Sequence, residues 1–174
     1  MENQSKLIEF TLIFNKYKTR VYNYAYRMLS NQMIAEDIVQ DVFIKLFDNL
    51  DKIRKKESIE FWLIKTVRNE IFSYHRNQAE KKLFKEAIEI DEIENSVLAS
   101  SPAESFEINE LKEIILNELN QMQDIFKEVF ILREYALMSY KEIANILEID
   151  QELVKSRLYK ARQKLIDKIS EKIS

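Results

Sequence analysis

The stretch Ser139-Tyr-Lys-Glu-Ile-Ala-Asn-Ile-Leu-Glu-Ile-Asp-Gln-Glu-Leu-Val-Lys-Ser-Arg-Leu-Tyr-Lys-Ala-Arg-Gln-Lys-Leu165 reads as two helices joined by a tight turn. Ser139 is placed to cap the first helix, and Glu142, three residues on, completes a capping box. Ile143, Ala144 and Leu147 supply a buried stripe. The pattern breaks around Glu148, and Asp150 offers a new N-cap. Val154, Leu158, Ala161 and Leu165 then recur at helical spacing and must face the first helix. Such a pair presents its second helix to a DNA major groove. An ordinary helical hairpin would share the pattern, so charge decides between them.

From Lys155 to Lys172 there are seven basic residues, Lys155, Arg157, Lys160, Arg162, Lys164, Lys168 and Lys172, against only Asp167 and Glu171. A basic run is most often a solvated helix face. Here it lies on the helix that the turn pattern independently assigns to the groove, and phosphate neutralisation requires such an excess. At 3.6 residues per turn the apolar set occupies one side of this helix. The opposite side holds Glu152, Ser156, Tyr159, Lys160 and Gln163, with Lys155 on its flank.

Composition bounds the rest. The 174 residues include no Gly, one Pro and no Cys, and 46% are hydrophobic. Few turn or hairpin signals remain, which predicts an all-α protein with room for one domain or two small ones. Disulfides and thiolate metal sites are excluded. His75, the single histidine, has no second His or Cys partner and is no metal-ligand candidate. No apolar run reaches membrane-span length and the N-terminus lacks a signal-peptide core, so no membrane insertion and a cytoplasmic location are expected.

The net charge of −3 conceals an asymmetry. Residues 1–84 carry 15 basic and 11 acidic side chains, residues 85–110 one Lys and eight acids, and residues 111–174 eleven of each. The acidic middle is a linker signature. It predicts a first domain over 1–78, a linker over 79–105 and a second domain over 106–174. In the first domain Leu7, Phe10, Phe14, Tyr17, Val21, Tyr24 and Met28 describe one long helix with a core-facing stripe. A second helix runs from about Met33 to Leu50, burying Ile34, Ile38, Val42 and Leu46, with Val39, Phe43 and Leu50 widening the stripe. After the basic loop Asp51-Lys-Ile-Arg-Lys-Lys-Glu57, a third starts at Ser58 and turns Phe61, Ile64, Val67, Ile71 and Tyr74 inward. Helical spacing resumes at Phe106, and a further helix spans roughly Asp124 to Tyr135.

Ala35-Glu-Asp-Ile-Val-Gln-Asp-Val-Phe-Ile-Lys-Leu46, Phe61-Trp-Leu-Ile-Lys-Thr-Val-Arg-Asn69, Arg133 and the run Ser139 to Leu165, in that order, resemble the extracytoplasmic-function sigma factors of bacterial RNA polymerase. The resemblance implies two helical domains, sigma regions 2 and 4, and promoter recognition as the function. It implies that Glu36, Asp37, Gln40 and Asp41 dock on the clamp helices of the polymerase largest subunit. It places the flap of the second-largest subunit and promoter DNA among the partners, with an anti-sigma factor holding the chain inactive. The loop before the third helix captures a flipped base of the minus-10 element in this family. Here Arg54, Lys55 and Lys56 fill it, a composition suited to displaced single-stranded DNA. Asn69 matches a position at the upstream edge of that element, with Lys65 and Arg76 holding phosphate. Trp62 could stack on a base, although a lone Trp in this pattern reads as core. Lys155, Ser156, Tyr159 and Lys160 match the positions that read the minus-35 element, where Arg157, Arg162 and Gln163 extend the interface.

Three departures stand out. Lys55 and Lys56 replace the usual Gly and Asp, Leu119-Asn-Gln-Met122 replaces a Leu-Pro, and Glu148 stands where the turn usually carries Gly. A positive φ at Glu148 would cost on the order of 1 kcal/mol. No catalytic residue, cofactor or metal site is expected: Glu36 and Asp37 are adjacent and diverge on a helix, and a glycine-rich phosphate loop requires glycine. A stand-alone helix-turn-helix regulator is the alternative reading, but it leaves residues 35–76 unexplained.

Overall fold

The computed structural model describes residues 2–53, 58–86 and 106–173, and among these every regular element is helical. The chain divides into two compact units, Met1–Ala99 and Ser100–Ser174.

The first unit is three helices, α1 (Glu2–Leu29), α2 (Gln32–Asn49) and α3 (Ile59–Glu86), with a 3-10 turn at Leu50–Lys52 after α2. All three pack on one another. Ser30 ends α1 in a left-handed conformation (φ 53°), and the Asn31 side chain then accepts from the Ile34 amide to start α2. Polar caps here replace the glycine that the chain lacks. The core gathers Tyr17, Val21, Tyr24, Ala25 and Met28 of α1, Ala35, Val39, Val42, Phe43 and Leu46 of α2, and Ile59, Leu63, Ile64, Val67 and Ile71 of α3. Ion pairs bind the helices at the margin: Arg20 with Glu60, Lys45 with Glu70, and Lys6 with Asp51.

Three expectations change. The apolar stripe of α1 is buried only from Tyr17 onward; Leu7 is exposed, and Phe10 and Phe14 are partly open. Among the described residues no third helix lines that end, and the stripe becomes the floor of a groove. Phe61 is only partly buried, because Leu63 and Ile64 take the inward positions. Third, α3 continues past residue 78 to Glu86, through chain read as the start of the linker; the remainder of that expected linker lies outside the described residues.

The second unit is α4 (Phe106–Gln121), α5 (Asp124–Glu134), α6 (Tyr140–Leu147) and α7 (Gln151–Ile173). α7 is its spine, packing on α4, α5 and α6. Leu119 and Met122 meet Ala161 and Leu165, with Ile115, Phe126, Phe130 and Tyr135 packed around them. The capping box at α6 is present: the Ser139 hydroxyl accepts from the Glu142 amide at 3.3 Å, and the Ser139 amide donates to Glu142 Oε2 at 2.8 Å. Asp150 Oδ1 accepts from the Leu153 amide at 2.7 Å and starts α7. Glu148 adopts φ 56°, ψ 43°, the left-handed cap that the turn demands. Leu137 does the same (φ 55°) between α5 and α6, where Arg133 braces the turn by donating to the Met138 carbonyl at 2.8 Å.

Candidate nucleic-acid interface

On α7 the packing sets the outward face. Val154, Leu158, Ala161 and Leu165 are buried, which leaves Ser156, Tyr159, Lys160 and Gln163 exposed on the far side. Tyr159 is 69% exposed, too open for a packing role. Lys160 has no hydrogen bond or ion pair with the described residues. The other predicted cations are not equivalent to it. Lys155 Nζ donates to Glu152 Oε1 at 2.7 Å, and that bond holds its pKa above the ordinary lysine value. Arg162 donates to Glu134 Oε1 of α5 at 2.6 Å; the bond raises the guanidinium pKa and fixes its direction. Arg157 sits half-buried on the core side of the helix, away from the Ser156–Tyr159 line. Gln163 donates to Asp167 at 2.9 Å, one turn on. The structure thus gathers Ser156, Tyr159, Lys160 and Gln163, flanks them with Lys155 and Arg162, and leaves Arg157 aside. Glu134 carried no signal in the sequence, since only the tertiary fold brings it to Arg162.

On α3, Lys65, Asn69 and Arg76 fall on one outward side, at steps of four and seven residues. Asn69 and Arg76 are exposed, while Lys65 lies partly buried with its ammonium 5.8 Å from the Phe61 ring centre. Trp62 is half-buried. Arg54, Lys55 and Lys56 lie outside the described residues.

On α2, Glu36, Asp37, Gln40 and Asp41 are all exposed. Glu36 and Gln40 border the open groove between α1 and α2, about 740 Å³ in volume. Its floor is apolar: Leu7, Phe10 and Phe14 of α1 against Val39, Phe43 and Phe47 of α2. The rings interlock edge to face, Phe14 on Phe43 at 4.8 Å and Phe10 on Phe47 at 5.2 Å. Ile44, 53% exposed, stands at the lip. A continuous apolar floor with a polar rim is the form that interaction surfaces and ligand grooves share.

The chain matches the sequence patterns of sigma-70 region 2 over residues 13–81 and of sigma-70 region 4 over residues 112–165. It is 26% identical over 153 residues to the ECF RNA polymerase sigma factor SigM of Bacillus subtilis, spanning 88% of this chain and 90% of that protein. It is 29% identical to the RNA polymerase sigma factor YlaC of the same organism, again over 153 residues, 88% of this chain and 87% of the relative. Its fold is similar to that of the sigma factor RpoE, solved in complex with the anti-sigma factor NepR from Bartonella quintana. That similarity has a TM-score of 0.76 and 23% identity, covering 93% of this chain and 97% of the other. Two helical units carrying these two regions, with a capped helix-turn-helix in the second, define a transcription initiation factor of the sigma type. The chain belongs to the sigma-70 family, in its extracytoplasmic-function group, and functions as an RNA polymerase sigma factor.

Proposed function

We propose that this protein directs core RNA polymerase to promoters through three separate surfaces, one for the enzyme and two for DNA. The observation that carries this reading is the outward face of α7, where Ser156, Tyr159, Lys160 and Gln163 stand clear of a fully packed apolar side. The base-reading positions of a groove-bound helix have this arrangement. In this reading α7 reads the minus-35 element. Lys65, Asn69 and Arg76 of α3, with Arg54, Lys55 and Lys56, engage and open the minus-10 element. Glu36, Asp37, Gln40 and Asp41 dock on the polymerase clamp helices, and the apolar groove beside them supplies burial that charge alone does not. The second unit meets the flap of the second-largest subunit.

The chain works in the cytoplasm and performs no covalent chemistry of its own, since nucleotidyl transfer belongs to the polymerase. An anti-sigma factor is a further partner. That extension is supported by the similar folds of RpoE and of CnrH, the latter solved in complex with the cytosolic domain of CnrY. Among the described residues no helix is long and apolar enough to cross a membrane.

In vitro transcription with core polymerase on fragments of the source genome tests the proposal. Defined start sites that depend on this protein are expected. Specific DNA binding without polymerase, and no polymerase-dependent start sites, would instead establish a stand-alone regulator.

A further inference from the structure

Lys45 of α2 and Glu70 of α3 form an ion pair at the surface, their side chains 48% and 32% exposed. Asp41 and Asp48 lie one turn to either side of Lys45 on its own helix, where a lysine commonly finds its carboxylate. The ammonium instead crosses to Glu70 Oε1, and Asp41 is left exposed on the polymerase side of α2. Glu70 follows Asn69, and the helix turns about 100° between them. Its carboxylate therefore stands at the border between the outward side of α3, which holds Lys65, Asn69 and Arg76, and the side packed on α2. Between Ile59 and Ala79 the only other carboxylate is Glu60, and Arg20 of α1 holds it. Each acid of this segment is thus tied to a cation on a neighbouring helix, while Lys65, Arg68 and Arg76 supply three positive charges.

We propose that Lys45 is a positioning residue for promoter DNA, drawing the Glu70 carboxylate toward α2 and off the path of the strand beside Asn69. The proposal rests on the minus-10 reading above and adds a residue of the polymerase-facing helix to it. In that reading phosphates pass along the outward side of α3. A released Glu70 side chain is long enough to swing toward them, setting a like charge against the strand. It would cancel part of the attraction that Lys65 and Arg76 supply, since affinity for a phosphate backbone follows the cations brought to it. Paired with Lys45, the same carboxylate is directed away and its charge is compensated. An exposed pair adds little to stability; its larger effect is on the field that an arriving phosphate meets.

The experiment uses holoenzyme made from the full-length protein and core polymerase, on a promoter fragment obtained from the transcription test above. The holoenzyme concentration giving half-maximal permanganate reactivity is measured at low salt for the wild type, Lys45→Ala, Lys45→Arg, Glu70→Gln and Lys45→Ala/Glu70→Gln. Lys45→Ala should raise that concentration roughly threefold or more. Lys45→Arg and Glu70→Gln should each stay within about twofold of the wild type, and the double variant should return to that range. Recovery in the double variant is decisive, because it lacks the ion pair as fully as Lys45→Ala does. A pair that only staples α2 to α3, a Lys45 that touches phosphate itself, or a Lys45 that acts through polymerase docking would leave the double variant impaired. That outcome, wild-type behaviour of Lys45→Ala, or an equal gain from Glu70→Gln in both backgrounds would each overturn the proposal. The minus-10 reading fails separately: permanganate reactivity would then be unaltered by Asn69→Ala and by the triple Ala variant at 54–56.

Discussion

Among the described residues three hold a left-handed backbone that glycine adopts at least cost: Ser30, Leu137 and Glu148. A side chain with a Cβ loses roughly 1–2 kcal/mol in that conformation, and the loss is tolerated because each turn is fixed on both sides by packed helices. Leu137→Gly and Glu148→Gly should each stabilise the second unit by roughly 0.5–1 kcal/mol, seen as a higher urea midpoint at unchanged slope. Lys127 makes the opposite kind of concession. Its side chain is 7% exposed beside Phe126, with Asn120 Oδ1 3.5 Å from its ammonium, and burial holds its pKa below the ordinary lysine value. A lowered lysine pKa means that the native state sheds the proton before the unfolded chain does. Its contribution to stability therefore rises with pH between the folded value and the ordinary one, and below both it is a constant penalty. Thermal melts at pH 7 and pH 9.5 should show this rise in the wild type and its loss in Lys127→Met, with Lys127→Met at least as stable at pH 7. A Lys127→Met variant clearly less stable at pH 7 would mean that its hydrogen bonds outweigh the buried charge.

At the scale of the helix, the proposed function assigns α2 to polymerase and α7 to DNA. On α2 the carboxylates alone are exposed and screened, so they set orientation more than affinity. Replacing Asp37 and Asp41 together with Lys should weaken core-polymerase association at least tenfold, about 1.4 kcal/mol, with helicity unchanged. Ile44→Glu should do the same from the groove lip, and co-purification with core polymerase reads both. On α7, Lys160 lacks the planar fork with which Arg grips guanine, so a base preference carried by it would be softer. Lys160→Ala should cost roughly 1–3 kcal/mol and relax preference at one promoter position if it reads a base. If it touches phosphate, binding should fall across all sequences and the salt slope by about one. Single-base promoter variants at two salt concentrations separate these outcomes. Much of this was legible beforehand, because periodicity reports which residues face a neighbouring helix: the core of α7 and, in α2, Val39, Val42, Phe43 and Leu46 follow from it. Ile34 and Ile38 read as buried and are only partly so, with Ala35 inward instead. Both caps of the helix-turn-helix follow from local sequence, and the strained Glu148 from the family resemblance. Periodicity does not report whether a neighbour is there. Leu7, Phe10 and Phe14 therefore read as core yet line an open groove, and Phe61 read as inward although Leu63 and Ile64 fill that side. Leu137 escaped notice because nothing in a leucine announces a positive φ. The Glu134–Arg162 bond joins residues far apart in sequence and needed the fold itself.

The whole molecule carries a net charge of −3, so its overall field does not draw it to DNA and the attraction is confined to local stripes. Each unit has its own core, which gives promoter recognition the character of two tethered modules. A polypeptide of residues 100–174 should fold by itself, with helical circular dichroism, and bind minus-35 duplex about as tightly as the same unit does within the full chain. Its affinity for a complete promoter in the presence of polymerase should be lower by roughly 10²–10⁴, the factor that tethering contributes. Equal occupancy of complete promoters by the fragment and the full protein would show that the first unit adds nothing to recognition.

The apolar floor between α1 and α2 has a thermodynamic consequence that shape alone does not convey. A partner that fills it withdraws Leu7, Ile44 and the open parts of the Phe10, Phe14 and Phe47 rings from water, and removing apolar surface lowers the heat capacity of the complex relative to the separate proteins. The enthalpy of docking then becomes more favourable as temperature rises, and the hydrophobic part of the affinity fades on cooling. Competition between partners for this groove is thus weighted by temperature: the partner that buries more of the floor gains on its rivals with warming, and the one that relies on Glu36, Asp37 and Asp41 gains in the cold.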